Sequence, residues 1–192
     1  MNRTTSTRLI AACAVLASAA CATSPAATPN PSPTPSTTVS AGNRVNDANI
    51  AALVLAANNA DVAYAHIALA KAQDPRVKQF AETMINDHSA VNKAATDLVT
   101  RLGITPADNT ASLDLRDKAE EIRDQLREQD GKDFDRAYLR NEIKYHEDVL
   151  EMVDKVLIPS AMNGDLRNLL TNVRPAFAAH LEHAKQLQKA VR

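Results

Sequence analysis

Cysteine is almost missing from this chain, and the two present, Cys13 and Cys21, both fall in its first 21 residues. Whatever folds beyond them has no thiol nucleophile, no disulfide and no cysteine metal site. Tryptophan is absent and glycine occurs only four times. No phosphate-binding glycine loop, Ser/His/Asp set or Cys/His set can be assembled from the sequence. Positive charge is also in short supply. Without residues 1–21, which hold two Arg and no acids, 20 basic residues face 23 acidic ones. No basic stripe of the kind nucleic-acid binding needs is present, so nucleic acid is not an expected partner.

The N-terminus reads as an export signal over residues 1–20. Arg3 and Arg8 make a basic n-region, and Leu9 to Ala20 form an apolar stretch of 12 residues. That is too short to span a bilayer as a helix. Ser18, Ala19 and Ala20 lead into Cys21. Small residues before a cysteine at this place resemble a bacterial lipoprotein signal, which implies a thioether-linked lipid on Cys21. Ser18 stands where that pattern usually has an aliphatic residue, and plain secretion after Ala17-Ser18-Ala19 is the other reading. Ala22 follows the cysteine where enteric lipoproteins kept at the inner membrane carry Asp, so the resemblance implies the outer membrane. Residues 21–43 are rich in Ala, Thr, Ser and Pro, the composition of an extended tether. Residues 44–192 are then the folded domain, long enough for one good core.

That domain reads as all-α, because its apolar residues recur at three and four rather than alternate. Helix 1 is expected at 47–72, with Ile50, Val54, Ala57, Asp61, Tyr64 and Ala68 on one face. Asp74-Pro75 supplies an N-cap and a first-turn proline for a second helix over 75–102. Its stripe runs through Val77, Ala81, Met84, His88, Ala95 and Leu98, and Gly103 ends it. A short, highly charged helix at 113–129 should lie on the surface with Leu115, Ala119, Ile122 and Leu126 packed. Helix 4 spans 133–157, with His146 on its apolar face and Pro159 as its stop. Helix 5 runs from about 165 to 191, and Pro175 is expected to kink it or split it in two. Two helical hairpins joined by one long crossover make a ferritin-like four-helix bundle with a short extra helix in the crossover.

Four ionisable residues, Asp61, His88, His146 and His180, sit on these greasy faces. Buried charge or imidazole is costly unless something pairs with it. Asp61 lies 13 residues before Asp74 and His88 lies 14 after it, so an antiparallel hairpin brings them level. His146 and His180 flank the turn near Ala161 by about 16 and 18 residues, which agrees within one turn. Met84 stands one turn from His88, and Glu142 one turn from His146. One reading is a structural polar layer, with Asp61 paired to His88 and Glu142 to His146. The other is a transition-metal site of Asp61, His88, His146 and His180, for copper, iron or zinc, with the Met84 thioether favouring copper(I). A di-iron oxidase is disfavoured, since no histidine is preceded by Glu at three residues. His66 and His183 lie off the stripes and are expected in solvent.

Three segments, DVAYAHIALAKAQDPRVKQFAETMINDHSAVNKAATDL (61–98), FDRAYLRNEIKYHEDVL (134–150) and RPAFAAHLEHAKQL (174–187), resemble the DUF4142 family of exported bacterial proteins. The matching positions are Met84, His88, Phe134, Asp135, Tyr138, His146, Pro175 and His180. Asp61 departs from the pattern, which usually has Glu there, so a ligand at this place is one methylene shorter. The resemblance implies a ferritin-like fold and brings no established activity.

Two functions follow. The first, which the lack of a catalytic set favours, is a non-enzymatic module of the cell envelope, lipid-anchored, facing the periplasm and binding another envelope component. The alternative is a periplasmic metal-binding or redox protein that uses the mid-bundle cluster.

Overall fold

In the computed structural model, residues 45–191 are described. The export signal, Cys21 and the whole of the tether lie outside them. Every regular element among the described residues is helical: α1 (Asp47–Lys71), α2 (Pro75–Arg101), α3 (Thr110–Arg127), α4 (Gly131–Met152) and α5 (Gly164–Ala190).

The ends of these helices are chemically specified. Asn46 and Asn49 cap α1 reciprocally, and Asn109 and Ser112 do the same for α3. Each such box satisfies two backbone donors that a helix start otherwise leaves bare. The α3 box moves the start of that helix to Thr110, three residues ahead of the sequence expectation. Asp74 caps α2, with Pro75 in its first turn.

Both hairpin turns are clamped by a carboxylate from another helix. Asp135, at the start of α4, accepts the backbone N–H groups of Gln73 and Asp74 at 3.0 and 2.9 Å. Asp47, at the start of α1, accepts those of Met162 and Asn163 at 2.8 and 2.9 Å. Each clamp ties one hairpin to the other, at opposite ends of the bundle.

The two prolines act differently from one another. Pro159 does not stop α4 at once. The rod widens into a π turn over Val153–Leu157 and ends in one further turn, Ile158–Ser160. Pro159 has no N–H to give back, and its ring would crowd the carbonyl four residues earlier. A one-residue widening ahead of it lets Ile158 N–H bond to Val153 instead. Pro175 does not split the last helix: α5 is continuous through it. Pro175 itself is exposed, where a lost backbone bond is answered by water.

Two apolar clusters form the core. One gathers Tyr64, Ala68, Phe80, Met84, Tyr138 and Ala184 with their neighbours. The other gathers Ile50, Leu53, Leu98, Leu157, Leu170 and Phe177 with theirs. Helices α1 and α5 run from the second cluster to the first, while α2 and α4 run the other way. Helix α3 carries the chain back between the two hairpins, packed on α1. This is the single-crossover bundle expected from the sequence. Because α3 covers the outer face of α1, that helix is buried nearly all round, from Ile50 through Ala68. Its length and mean hydropathy of 1.3 would also suit a membrane span, but 67% of that apolar window is buried inside the bundle. Between the two clusters, α1, α2, α4 and α5 each contribute polar side chains at one level.

Candidate metal centre

Six buried polar residues form that level: Asn58 and Asp61 from α1, His88 from α2, Glu142 and His146 from α4, and His180 from α5. Asp61 and Glu142 are completely buried. Helical spacing explains the convergence. Each residue lies on the inward stripe of its helix, near the midpoint, and antiparallel packing aligns the midpoints.

The three imidazoles stand in a near-equilateral triangle, with ring centroids 5.5, 5.4 and 5.5 Å apart. Phe177 stacks flat on His88 at 5.0 Å and closes the layer on one side. What each ring does with its two nitrogens fixes its tautomer. The Asn58 amide nitrogen donates to the Val54 carbonyl at 2.8 Å, so its oxygen faces His88 Nδ1, also at 2.8 Å. A carboxamide oxygen only accepts, and His88 Nδ1 must therefore carry the proton. His146 Nδ1 lies 2.9 Å from the Glu142 backbone carbonyl, which again only accepts. His180 Nε2 lies 2.8 Å from the Asp87 carboxylate and donates to it.

In all three rings the N–H points outward, to an acceptor at the edge of the layer. The other nitrogens, His88 Nε2, His146 Nε2 and His180 Nδ1, are left with a lone pair, buried and without a partner. Burial keeps the rings neutral. Desolvation holds His88 well below the ordinary imidazole value, with His146 and His180 adding to the effect. Desolvation also takes His146 down to about 4, against the opposing pull of its bond to Glu142. His180 is lowered by burial, and Asp87 partly offsets this. Neutral imidazole is the form that ligates metals.

His88, His146 and His180 each offer a ligand nitrogen within 4.8 Å of the others, so a common point lies within about 2.8 Å (4.8 divided by √3) of all three. Metal–imidazole bonds are about 2.0–2.1 Å. The set needs to close by less than 1 Å per arm. Asp61 Oδ2 lies beside two of these rings, 3.6 Å from His88 Nε2 and 3.7 Å from His146 Nε2. Neighbouring ligands around a tetrahedral ion with such bonds stand about 3.4 Å apart. The same distances are too long for hydrogen bonds. The pairing of Asp61 with His88 that would have made the layer self-sufficient is therefore not formed, and both Asp61 oxygens lack a partner.

Beside this group lies a second one, Asp61, Glu142 and His146, with ligand atoms again within 4.8 Å of one another. Neither Glu142 carboxyl oxygen makes a well-formed hydrogen bond, although the Asn141 amide and the buried Tyr138 hydroxyl lie beside the carboxyl group. Desolvation pushes Asp61 up to about 8 and, reinforced by Asp61, raises Glu142 well above the usual carboxylate range.

Sequence reasoning named Asp61, His88, His146 and His180, and the structure brings them together. Met84 is fully buried, one turn before His88, in the first apolar cluster. Glu142 was seen only as a partner for His146. Asn58 and Asp87, which set two of the three tautomers, were missed. Asn58 was legible, three residues before Asp61 on the same stripe. Asp87 was not, since it precedes His88 by one residue and reaches a ring on another helix. His66 and His183 are exposed, as expected.

No curated protein matches the sequence. Among solved structures, the fold is similar to that of "CopM in the Cu(II)-bound form", at 18% identity and a TM-score of 0.59, covering 77% of this chain and 99% of that one. At that identity the likeness is one of fold. The sequence model of the domain of unknown function DUF4142 matches residues 30–187, which takes in all of the bundle but the end of α5, and every residue of the buried layer. The chain belongs to the DUF4142 family.

Proposed function

We propose that this chain is a metal-binding protein of the bacterial envelope, which holds one transition-metal ion at His88, His146 and His180 with Asp61 as the fourth donor. One observation carries the reading. Each of the three imidazoles gives its N–H to an acceptor at the rim and keeps a bare nitrogen for the middle of the layer. Outer partners that fix the tautomer of a ligating histidine are the usual support of a metal site. A purely structural layer would leave those nitrogens and the Asp61 oxygens unsatisfied, at about 1–3 kcal/mol each. A single ion satisfies them together.

Three imidazoles with a carboxylate suit copper, zinc or iron. Copper is the first to test, because a neighbour of the same fold carries Cu(II). Met84 is left out of the ligand set, since the imidazoles and Asp61 already supply four donors. The envelope location rests on the N-terminal export pattern and the tether, and anchoring rests on Cys21.

The test is to load the purified chain with copper, zinc, iron and manganese in turn, desalt it, and measure retained metal by mass spectrometry. Stoichiometric retention, lost in His88→Ala and in His146→Ala, is expected. Wild-type protein that desalts free of every ion would overturn the reading.

A further inference from the structure

The buried layer holds two carboxyl groups but no cationic side chain. Among the described residues no Lys or Arg is buried, and the histidines are neutral in the tautomers described above. Apolar clusters close the layer on both sides. Charge inside it is therefore weakly screened, and its sum matters more than at a surface. Asp61 Oδ2 faces two of the three nitrogens, 3.6 Å from His88 Nε2 and 3.7 Å from His146 Nε2. Glu142 does not belong to the imidazole triangle, yet its Oε2 lies 3.6 Å from His146 Nδ1, and it offers an oxygen within 4.8 Å of both Asp61 and His146. Neither oxygen makes a well-formed hydrogen bond, and the uncharged Asn141 and Tyr138 side chains are the polar neighbours of the carboxyl group.

We infer that Glu142 is the residue that makes this site select a divalent over a monovalent ion. The inference rests on the metal-binding reading above and adds to it the charge of the occupant. Three neutral imidazoles and one carboxylate balance a monovalent ion. When an entering cation displaces the protons of both carboxyl groups, the layer carries two negative charges, which match a divalent ion. A charge outside the ligand set acts on the ion mainly through Coulomb attraction, which is twice as large for a doubly charged ion at the same place. Removing the Glu142 charge therefore weakens binding of Cu2+ more than that of Cu+. In fold terms, the loss for Cu2+ is about the square of the loss for Cu+. Substitutions just outside a ligand set commonly weaken affinity 10–100-fold. The expected selective loss is thus about tenfold.

The experiment compares the full chain with Glu142→Gln, which removes the charge and keeps the shape. Cu2+ and Cu+ affinities are measured by competition with chelators specific for each, the latter without oxygen, and the midpoint potential of bound copper is measured alongside. Tenfold selective loss of Cu2+ raises that potential by about 59 mV. Glu142→Asp, which keeps the charge, should hold the Cu2+/Cu+ affinity ratio within about threefold of wild type. Glu142→Met gives the same readout as Glu142→Gln should the carboxamide not be accommodated, and circular dichroism checks that each variant is helical. Equal losses for the two ions, or an unchanged potential in Glu142→Gln, would overturn the inference while leaving the metal site standing. A wild-type chain that retains neither ion would overturn both.

Discussion

Asp61→Asn should stabilise the metal-free protein, and increasingly so as pH rises. Asp61 is completely buried with neither oxygen paired, and burial pushes its pKa from 3.8 up to about 8. The folded state thus holds a proton that the unfolded chain releases. A raised folded pKa means that stability is fully present below the unfolded value and is lost as pH climbs toward 8. Each pH unit in that window is about 1.36 kcal/mol. Between pH 5 and pH 8 the wild type should lose about 4 kcal/mol through this group. Asparagine has no such proton to hold. Its carboxamide, also short of partners, costs about 1–3 kcal/mol, but by the same amount at every pH. His146, held down to about 4, has the opposite slope between 4 and 6.5, and that slope is common to both proteins. The gap between variant and wild type reports Asp61 together with the part of the Glu142 shift that Asp61 causes. The assay is urea unfolding followed by circular dichroism at pH 5, 6.5 and 8, after dialysis against a strong chelator. The variant's advantage should widen by about 4 kcal/mol from pH 5 to pH 8, or by about 8–16 °C in Tm for a domain of this size. A gap that is flat with pH, or that narrows, would refute the claim that Asp61 is buried without a counter-ion.

Adding metal should reverse the ranking. With free ion at about a thousand times its Kd, wild type gains about 4 kcal/mol by mass action, while Asp61→Asn gains less, as differential scanning calorimetry with and without copper or zinc would show. Asn58→Leu removes the acceptor that fixes the His88 tautomer. It should weaken metal binding by about 10–100-fold in chelator competition while leaving the fold intact, and unaltered affinity would mean that the tautomer is set by something else. Asp135→Ala strips the acceptor from two backbone N–H groups in the α1–α2 turn and should cost about 2–4 kcal/mol in urea unfolding, with no change in metal stoichiometry.

The helical fold was legible because its signals are local. The stripe from Val77 to Leu98 keeps its period without a slip, and Asp74-Pro75 announces the start of α2 in two residues. The burial of α1 on nearly every side was not legible, because it depends on α3 lying over it, and that is a contact between segments 56–58 residues apart where hydrogen bonds join them. The effect of Pro159 was misjudged for a related reason. A proline removes one backbone bond, but whether the chain stops or shifts register depends on what the preceding turn gains by staying packed. Val153 and Leu157, on either side of the widened turn, are both core residues. Burying them favours continuation. At Pro175 the solvent-facing position makes an unbroken helix inexpensive.

The site shows where sequence reasoning stops. Periodicity and distance from a turn placed Asp61, His88, His146 and His180 at one level, and nothing more was needed to foresee an imidazole cluster. Whether such a cluster is self-contained or waits for a ligand is not a question of level. It is decided by which nitrogen of each ring is already spent, and that depends on a carboxamide, a backbone carbonyl and a surface carboxylate: Asn58, Glu142 and Asp87. The first two partners come from helix geometry that a sequence pattern can approach. The third crosses from α2 to α5, between residues 93 positions apart. A layer whose rings had spent their nitrogens on one another would have been a structural device. These rings spend theirs outward, so the middle of the layer holds lone pairs, two carboxyl groups and no cation. That arrangement is stable only with protons or a metal between them, and the pH dependence of Asp61→Asn with and without copper separates the two.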